Sequence, residues 1–331
     1  ALGKDGELLL HTDLGIITMT KPTAYQNIDG TYHSVPVAFT LTDNSYGFEV
    51  GNYDSRYPLI IDPLISSTFI GGSDSEFSSF NIVLDTSGNV FVAGTTSSTN
   101  YPTTSGVFDT VHVSGFVSKL NSNLTTLLAS TYIGGSSNDF VRELTIDNNG
   151  NVLIGGDTES NDYPTTDGAY DRTYNCCTEA FVSKLNNNLT TLIASTFLGG
   201  TTDNRSGIDG IITDNLGNIF VTGSTGNPDF PTTAGAYDQT FNDGNPTVFV
   251  SKLNSNLTTI TASTFLGGGM PATIDFDSSN NLVIIGYALS GFPTTIGAYD
   301  QTFNGGGSDA FVSKLNSNLT TLLASTYIGG S

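Results

Sequence analysis

Short runs of alternating apolar and polar residues, separated by turn-forming residues, follow one another along most of the chain. Between residues 136 and 200 this pattern predicts four strands, at residues 141–146, 152–156, 181–185 and 192–198. Residues 147–151 read Asp-Asn-Asn-Gly-Asn, and these residue types favour a tight turn between the first two strands. No segment between the runs has a helical period over a useful length. The pattern therefore predicts consecutive antiparallel strands.

The same pattern recurs at spacings of 62 to 68 residues. The string Ser-Thr-aromatic-Ile/Leu-Gly-Gly begins at Ser67, Ser130, Ser195, Ser263 and Ser325. The string Phe-Val-Ser-Lys-Leu-Asn begins at Phe116, Phe181, Phe249 and Phe311. An aromatic residue precedes Pro-Thr-Thr at Tyr101, Tyr163, Phe230 and Phe292. These strings define four complete units, at about residues 66–135, 136–200, 201–268 and 269–331.

A unit of four short strands is too small to bury both faces of its sheet, and tandem units of this kind are typical of β-propeller blades. An open β-solenoid is the structural alternative, but its repeats are much shorter. We therefore predict an all-β fold, a β-propeller of four-stranded antiparallel blades. Within each unit, the stretch that residues 164–171 exemplify is expected to form an ordered insertion, with a Thr-capped helical turn and Tyr170 as its anchor.

Residues 1–65 do not share the repeat, so we expect two domains, 1–65 and 66–331. Turn-forming residues at 27–30 and 43–45 separate short strand patterns at 7–10, 15–19, 35–41, 47–50 and 59–61. This region predicts a small β-sandwich or its remnant. The chain begins Ala-Leu-Gly, with neither an initiator methionine nor a signal region, so we expect a processed piece or fragment of a longer product.

The four motifs together resemble the bacterial seven-bladed β-propeller (SBBP) repeat family. They are Ser-Thr-Tyr-Ile-Gly-Gly, Asp-x-x-Gly-Asn-Val, Tyr-Pro-Thr-Thr and Phe-Val-Ser-Lys-Leu-Asn, and they cover residues 66–331. Residues 53–63 are similar to the end of the β-rich region that commonly precedes such repeats. The resemblance implies a large secreted or cell-surface protein, a class mostly without an assigned activity. It also implies about seven blades, whereas four units and a leading strand at 65–72 are present; either further blades follow, or a small or open assembly forms.

Charge and composition restrict the partners. The chain has 31 acidic and 10 basic residues, a net charge of −21, which would repel a phosphate backbone or an anionic lipid surface. We therefore expect no nucleic-acid partner. No apolar run approaches the roughly 18 residues of a membrane-spanning helix, so we expect no membrane insertion. The two cysteines, Cys176 and Cys177, are adjacent and do not imply a disulfide framework.

One lysine per unit occupies the same place in Phe-Val-Ser-Lys-Leu: Lys119, Lys184, Lys252 and Lys314. A ring of cations that binds an anionic ligand is one interpretation. We favour the other, an internal ion pair or an apolar stem packed along the blade. The Asp-x-x-Gly-Asn turns begin at Asp85, Asp147 and Asp214, with a degenerate copy at Asp277. Their oxygens are candidate Ca²⁺ ligands, although a hairpin turn explains the same residues without a metal; no other cofactor is expected.

Five sequence positions match the N-glycosylation acceptor pattern: Asn123, Asn188, Asn204, Asn256 and Asn318. They fall in predicted exposed turns, where asparagine is also favoured for its backbone conformation. The three histidines, His11, His33 and His112, belong to no repeated motif and lack metal-ligand spacing. The sequence contains no nucleophile elbow, phosphate-binding loop or Cys/His ligand set, so no catalytic residue is predicted.

The expected function is a non-catalytic module of a secreted or cell-surface protein, with a structural, adhesive or ligand-binding role. Its expected partners are other extracellular or surface proteins, or glycans. Little variation among the predicted channel-facing strands favours a scaffold, because a catalytic site usually needs unlike residues from several blades. One alternative is a subunit of an extracellular filament, joined through the leading strand or an exposed terminal strand. The other is a polysaccharide lyase or hydrolase whose site lies at the propeller face.

Overall fold

The structure of the protein is a computed structural model that describes residues 1–4, 6–12, 15–42, 45–62, 67–175, 177–202, 205–241 and 246–329. All regular elements in these ranges are β-strands, as the sequence predicts. The chain divides into two compact units, Ala1–Phe69 and Ile70–Ser331. In the described ranges, no helix has the length and apolar character needed to cross a bilayer.

The first unit contains three small antiparallel sheets. Strand β1 (Leu8–Thr12) pairs with β2 (Gly15–Met19); β3 (Thr23–Ile28) lies between β4 (Thr31–Val35) and β7 (Ile60–Asp62); and β5 (Val37–Thr42) pairs with β6 (Ser45–Val50). Leu8, Met19 and Phe39 form a small apolar cluster. The predicted turn at 27–30 joins β3 to β4, with Asp29 and Gly30 in the left-handed region (φ 51° and 85°). The turn predicted at 43–45 lies mostly outside the described residues.

Strands β3 and β4 are the elements of this unit that the apolar pattern did not identify. The sequences Thr-Ala-Tyr-Gln-Asn-Ile and Thr-Tyr-His-Ser-Val carry polar residues on both faces. Gln26 explains part of this, because its buried side chain donates to the carbonyl of Asp54 (2.7 Å) and accepts from the N–H of Asp54 (2.8 Å). A polar residue thus takes an interior position by binding the backbone of a distant loop.

The second unit consists of four blades, each a four-stranded antiparallel meander. Blade 1 contains β8 (Glu76–Leu84), β9 (Val90–Thr96), β10 (Gly115–Leu120) and β11 (Leu127–Ile133). Blade 2 contains β12 (Asp139–Ile146), β13 (Val152–Thr158), β14 (Glu179–Leu185) and β15 (Leu192–Leu198). Blades 3 and 4 are formed by β16 (Ser206–Thr213), β17 (Ile219–Thr225), β18 (Thr247–Leu253), β19 (Ile260–Phe276), β20 (Leu282–Ala288), β21 (Asp309–Leu315) and β22 (Leu322–Ile328).

Strand β19 belongs to two blades. Its first part, to Gly268, pairs with β18 as the fourth strand of blade 3, and its second part, from Gly269, pairs with β20 as the first strand of blade 4. The Gly-Gly that ends the repeated string marks this passage between blades. The other repeated strings also fall on matching elements, since Phe-Val-Ser-Lys-Leu forms the third strand of every blade.

An aromatic pair and a serine pair fix the insertion that precedes each third strand. In blade 2 the rings of Tyr163 and Phe181 lie 4.3 Å apart, and the Tyr163 hydroxyl is 3.0 Å from Ser183 Oγ. Ser183 in turn contacts Ser195 Oγ at 2.7 Å. Blades 3 and 4 have phenylalanine in place of this tyrosine, and there the fourth-strand serine donates to a proline carbonyl, as Ser263 does (2.6 Å). The repeated polar positions are therefore internal hydrogen-bond partners.

The core lies between blades. One apolar cluster joins blade 1 to blade 2, a second joins blade 2 to blade 3, and a third joins blade 3 to blade 4. A leucine from the Asn-Leu-Thr turn completes each one. Leu189, for example, adopts a left-handed φ of 57°, is fully buried, and accepts a 2.8 Å hydrogen bond from the N–H of Phe108 in the preceding blade. Burial of this side chain offsets the strain of a conformation that leucine rarely adopts.

Two local predictions are wrong. Residues 67–72 contain no strand, because the third strand that pairs with this string in every later blade has no counterpart before it. The insertion at 164–171 contains a tight turn in place of the predicted helical turn: the N–H of Ala169 donates to Thr166 O at 3.1 Å, and Gly168 supplies the left-handed φ of 78° that the turn requires. Tyr170 holds the insertion through its backbone N–H, which donates to Leu257 O of the next blade (2.8 Å).

Candidate functional site

The structure places the repeated lysines against the repeated aspartates of the same blade. Lys184 Nζ lies 2.6 Å from Asp147 Oδ2, and both side chains are more than nine-tenths buried. Lys119 and Asp85 are 3.0 Å apart. Lys252 lies 4.0 Å from Asp214, and Lys314 contacts Asp277. The third strand and the first hairpin of a blade carry these residues, so the same pair forms in each blade.

Each aspartate also closes its own hairpin. Asp147 Oδ1 accepts hydrogen bonds from the N–H groups of Asn149 and Asn151, both at 2.9 Å, and Oδ2 accepts one from Asn151 Nδ2 at 3.0 Å. Burial would raise the pKa of Asp147, but the hydrogen bonds from Lys184 and Asn151 outweigh it and lower the pKa. These candidate calcium ligands therefore lie one per blade against a lysine. No group of three or more His, Cys, Asp or Glu side chains in the described ranges is arranged to hold a metal.

The repeated lysines also link neighbouring blades. Lys119 Nζ donates to Asn187 Oδ1, and Lys184 Nζ donates to Ser255 O at 3.3 Å. Both acceptors belong to the turn between the third and fourth strands of the next blade. Each of these two ammonium groups therefore joins an aspartate of its own blade to the next blade. Neither of the two belongs to an exposed ring of cations.

The other predicted positions are scattered over the surface. Four sequon asparagines, Asn123, Asn188, Asn256 and Asn318, are exposed at the tips of the turns that carry the left-handed leucines. Asn204 and Cys176 lie outside the described residues. Cys177 is exposed with a φ of 59°. His11 and His33 are in the first unit, and His112 packs its ring 5.5 Å from Tyr132 in the second. The structure does not bring these residues together.

A pocket that the sequence interpretation missed lies where the first strands of the blades meet. We call it the first-strand pocket; its volume is about 610 Å³. Its lining residues come mainly from β8, β12, β16 and the second part of β19: Glu76, Phe77, Thr95, Phe140, Val141, Arg142, Glu143, Asp209, Pro271 and Ala272. A neighbouring cavity of about 780 Å³ shares Phe77, Thr95 and Phe140 with it and extends to His112 and Asp162 between blades 1 and 2.

In each of blades 2, 3 and 4, a β-bulge in the first strand presents one residue to this pocket, and this residue differs from blade to blade. The register of the first two strands shifts around Arg142 in blade 2, Asp209 in blade 3 and Ala272 in blade 4. Bulges leave one residue outside the ladder and redirect its side chain, and they are frequent beside functional sites. The same strand position therefore carries a cation, an acid and a methyl group.

The charged residues of the pocket are coupled. Arg142 Nε donates to Asp157 Oδ1, and its guanidinium lies 5.8 Å from the centre of the Phe140 ring. Burial raises the pKa of Asp209 to about 6; the attraction of Arg142 opposes this shift and the repulsion of Asp157 adds to it. Burial would lower the pKa of Arg142, but its hydrogen bond to Asp157 raises it. Arg142 therefore stays charged, and the pKa of Asp209 lies well above the ordinary aspartate value of 3.8.

The expectation of little variation among channel-facing strands is thus wrong. Equivalent positions of the four first strands carry Phe77, Phe140, Gly207 and Met270. The third and fourth strands repeat almost unchanged because they build the blade, whereas the first strands face the common pocket and differ. A comparison of the four copies strand by strand would have indicated this pocket in the sequence.

Two family models match the chain. A beta-propeller repeat model (SBBP) matches residues 67–102 and 130–164, and a model described as a domain of unknown function (DUF7948) matches residues 1–64. No curated protein matches the sequence.

Solved structures show a distant likeness. A protein of unknown function from Dyadobacter fermentans DSM 18053 is 13% identical over 99% of this chain and 81% of that one, with a TM-score of 0.45. A thermostable family-43 glycoside hydrolase is 9% identical over 100% and 95%, with a TM-score of 0.42. A GH43_12 protein from a capybara gut metagenome is 9% identical over 93% and 61%, with a TM-score of 0.35. These values are too low to assign an activity.

The repeat matches agree with the four-stranded blades and with the motifs of the sequence, and they confirm the resemblance that those motifs indicate. The protein carries SBBP beta-propeller repeats, behind an N-terminal domain of unknown function (DUF7948).

Proposed function

We propose that this chain is a non-catalytic, ligand-binding β-propeller module of a secreted or cell-surface protein, and that it binds a glycan in the first-strand pocket. The observation that carries the proposal is the set of unlike residues that the bulges of otherwise similar blades present to one pocket. A purely structural repeat has no need of an arginine, an aspartate and an alanine at one position. A site for a ligand needs such differences.

The lining of the pocket suits a saccharide. The rings of Phe77 and Phe140 are 66% and 37% exposed, and they offer flat surfaces to the apolar face of a sugar. Arg142, Asp209 and Glu143 provide donors and acceptors for hydroxyl groups. A volume of about 610 Å³ is in the range of small-molecule sites. The net charge of −21 disfavours strongly anionic glycans, so a neutral saccharide is the favoured ligand.

The raised pKa of Asp209 supports a second candidate, a glycan-cleaving enzyme. A carboxyl group with a pKa of about 6 is partly protonated in mildly acidic solution and can act there as a general acid, and Glu143 and Asp157 lie in or beside the same pocket. We place this candidate second, because the ion pair between Arg142 and Asp157 already occupies one of the carboxylates.

The test is a glycan array, followed by titration calorimetry with the neutral saccharide that binds best. We expect Arg142→Ala and Asp209→Asn to weaken binding by about tenfold or more, through loss of charge-assisted hydrogen bonds. Asp167→Asn is the matched control, because Asp167 is a fully exposed carboxylate away from the pocket. Reducing-end release that disappears in Asp209→Asn would support the enzyme. Absence of saccharide binding, or binding that both pocket variants retain, would overturn the proposal.

A further inference from the structure

The first-strand pocket continues into a second space. The cavity of about 780 Å³ between blades 1 and 2, which we call the blade 1–2 cavity, shares Phe77, Thr95 and Phe140 with it. Both are open clefts and not closed voids, and the shared residues form the boundary between them. Each volume alone is sufficient for a drug-sized ligand, which is about the size of a disaccharide. The two together therefore exceed what one such ligand fills.

Two aromatic rings lie at the boundary. Phe77 and Phe140 occupy equivalent positions of β8 and β12, the first strands of blades 1 and 2. Phe140 is 37% exposed although blade 2 has a blade on each side, so its exposure belongs to this strand position. Flat aromatic surfaces suit the apolar faces of sugar rings. Because the two rings line both spaces, they lie beside any chain that passes from the pocket into the cavity.

The blade 1–2 cavity has a fixed wall that is rich in hydroxyl groups. The loop between β11 and β12 forms part of it, and four serines and two threonines are among its lining residues. In this loop the N–H of Ser136 donates to Asp162 Oδ1, and the N–H of Ser137 donates to Ser160 Oγ, both at 2.8 Å. Hydroxyl groups donate and accept hydrogen bonds, as those of a saccharide do. A wall that is already held in place lowers the entropic cost of binding.

A third cavity, of about 270 Å³, also adjoins the first-strand pocket and is less suited to a neutral chain. It shares Arg142 and Asp209 with the pocket, and Arg205 also lines it. Gly207 takes the place that Phe140 has in blade 2, so this cavity lacks the aromatic ring. A neutral glycan in this space would remove water from charged groups without supplying a countercharge. The blade 1–2 cavity is therefore the favoured continuation of the pocket.

We propose that the first-strand pocket and the blade 1–2 cavity are two parts of one site, which binds an extended neutral oligosaccharide of about four units. This inference rests on the glycan-binding function proposed above, and it specifies the length and the direction of the glycan. One part of the chain lies in the pocket beside Arg142 and Asp209. The chain then passes the rings of Phe77 and Phe140 and continues along the loop between β11 and β12.

The test is titration calorimetry of the full chain with neutral oligosaccharides of glucose, mannose and xylose, each series running from the monosaccharide to the hexasaccharide. We expect the affinity to rise by about tenfold or more from the disaccharide to the tetrasaccharide, and little beyond. Equal affinity for the disaccharide and the tetrasaccharide would overturn this inference and leave the proposed function intact. Absence of binding by every member of the three series would overturn both.

A tryptophan at one of two matched positions identifies the direction of the chain. Asn138 is exposed and lines the blade 1–2 cavity but not the pocket, and Arg205 is exposed and lines only the third cavity. Each residue directly precedes the first strand of its blade. The N–H groups of Glu159 and Gly226 donate to the carbonyls of Asn138 and Arg205 at 2.8 and 2.9 Å, so the two positions are equivalent in structure.

We expect Asn138→Trp to lower the affinity for the tetrasaccharide by about tenfold, to that of the disaccharide, and to leave disaccharide binding unchanged. Arg205→Trp, the matched control, should change neither affinity. Far-UV circular dichroism verifies that both variants are folded. Loss of tetrasaccharide affinity in Arg205→Trp alone would show that the glycan extends into the third cavity and would overturn the proposal. An equal loss for the disaccharide and the tetrasaccharide in Asn138→Trp would also overturn it.

Discussion

Lys184 Nζ lies 2.6 Å from Asp147 Oδ2, and each of these side chains is more than nine-tenths buried. The pair joins the third strand of blade 2 to its first hairpin, and Lys184 also donates to Ser255 O in blade 3. A buried ion pair contributes little net stability compared with apolar residues, but removal of one partner leaves an uncompensated charge. The pair therefore connects the hairpin, the third strand and the next blade.

Loss of one partner should be more harmful than loss of both. We expect Lys184→Met to lower the free energy of unfolding by about 3 kcal/mol, because Asp147 remains buried and charged. The double variant Lys184→Met/Asp147→Asn should lose less. Lys314→Met is the control, since its pair with Asp277 is more exposed, and it should cause a smaller loss. Urea unfolding measures the differences; equal losses in the single and double variants would contradict this account.

The stability of the protein should depend on pH through the ionisation of Asp209. Its pKa is about 6 in the folded protein, against 3.8 for an unperturbed aspartate. The folded state holds this proton more tightly, so the stability linked to it is present below about pH 4 and lost as the pH rises through 6. Asp209→Asn removes the titration and should be more stable than the wild type by about 3 kcal/mol above pH 7, with no difference below pH 4. Thermal unfolding across this range, with Asp167→Asn as control, tests the sign.

The ionisation of Asp85 should change the stability with pH in the opposite direction. Burial would raise its pKa, but hydrogen bonds from Asn89, Lys119 and the backbone lower it to about 2. Its contribution to stability is therefore present above about pH 4 and is lost as the pH falls towards 2. We expect Asp85→Asn to be less stable than the wild type at pH 7 and nearly equal to it at pH 2. A constant difference at both pH values would exclude the ionised form as the source of stability.

The repeat itself predicts which change at Tyr163 is tolerated. Blades 3 and 4 carry phenylalanine at this position, and their fourth-strand serines donate to a proline carbonyl. Tyr163→Phe should therefore cost less than about 1 kcal/mol, because Ser195 can form the same bond to Pro164. Tyr163→Ala should cost about 3–5 kcal/mol, since it leaves a cavity beside Phe181. Similar losses in the two variants, measured by urea unfolding, would show that the hydroxyl and not the ring is essential.

Leu189 and Leu124 share one strained backbone conformation but differ in burial, so substitution of each in turn distinguishes the effect of strain from the effect of burial. Leu189 and Leu124 have φ values of 57° and 55°, but Leu189 is fully buried between blades and Leu124 is only half-buried. Glycine adopts this conformation without strain. We expect Leu189→Gly to destabilise the protein by about 2 kcal/mol through loss of burial, and Leu124→Gly to have little effect or to stabilise it. A larger loss at Leu124 would contradict the role assigned to burial.

Much of the fold follows from the sequence because the repeat strings are the residues that each blade needs in its own interior. Phe181, Ser183 and Lys184 contact other repeated residues of their blade, so their periodicity alone indicates a common packing role. The alternation of apolar and turn residues likewise placed the four strands of blade 2 close to their observed bounds. The strand predicted at 65–72 is absent from the described residues 67–72, because a repeated string forms a strand only where its partner is present.

Local sequence patterns could not identify the contacts between blades. Arg142 and Asp209 are non-repeated residues in different blades. They reach one pocket only because the first strands of the blades meet there and each of these two strands has a bulge. The sequence by itself determined the blade, whose contacts are local and repeated; the tertiary structure decided the pocket, because its lining depends on which blades lie side by side.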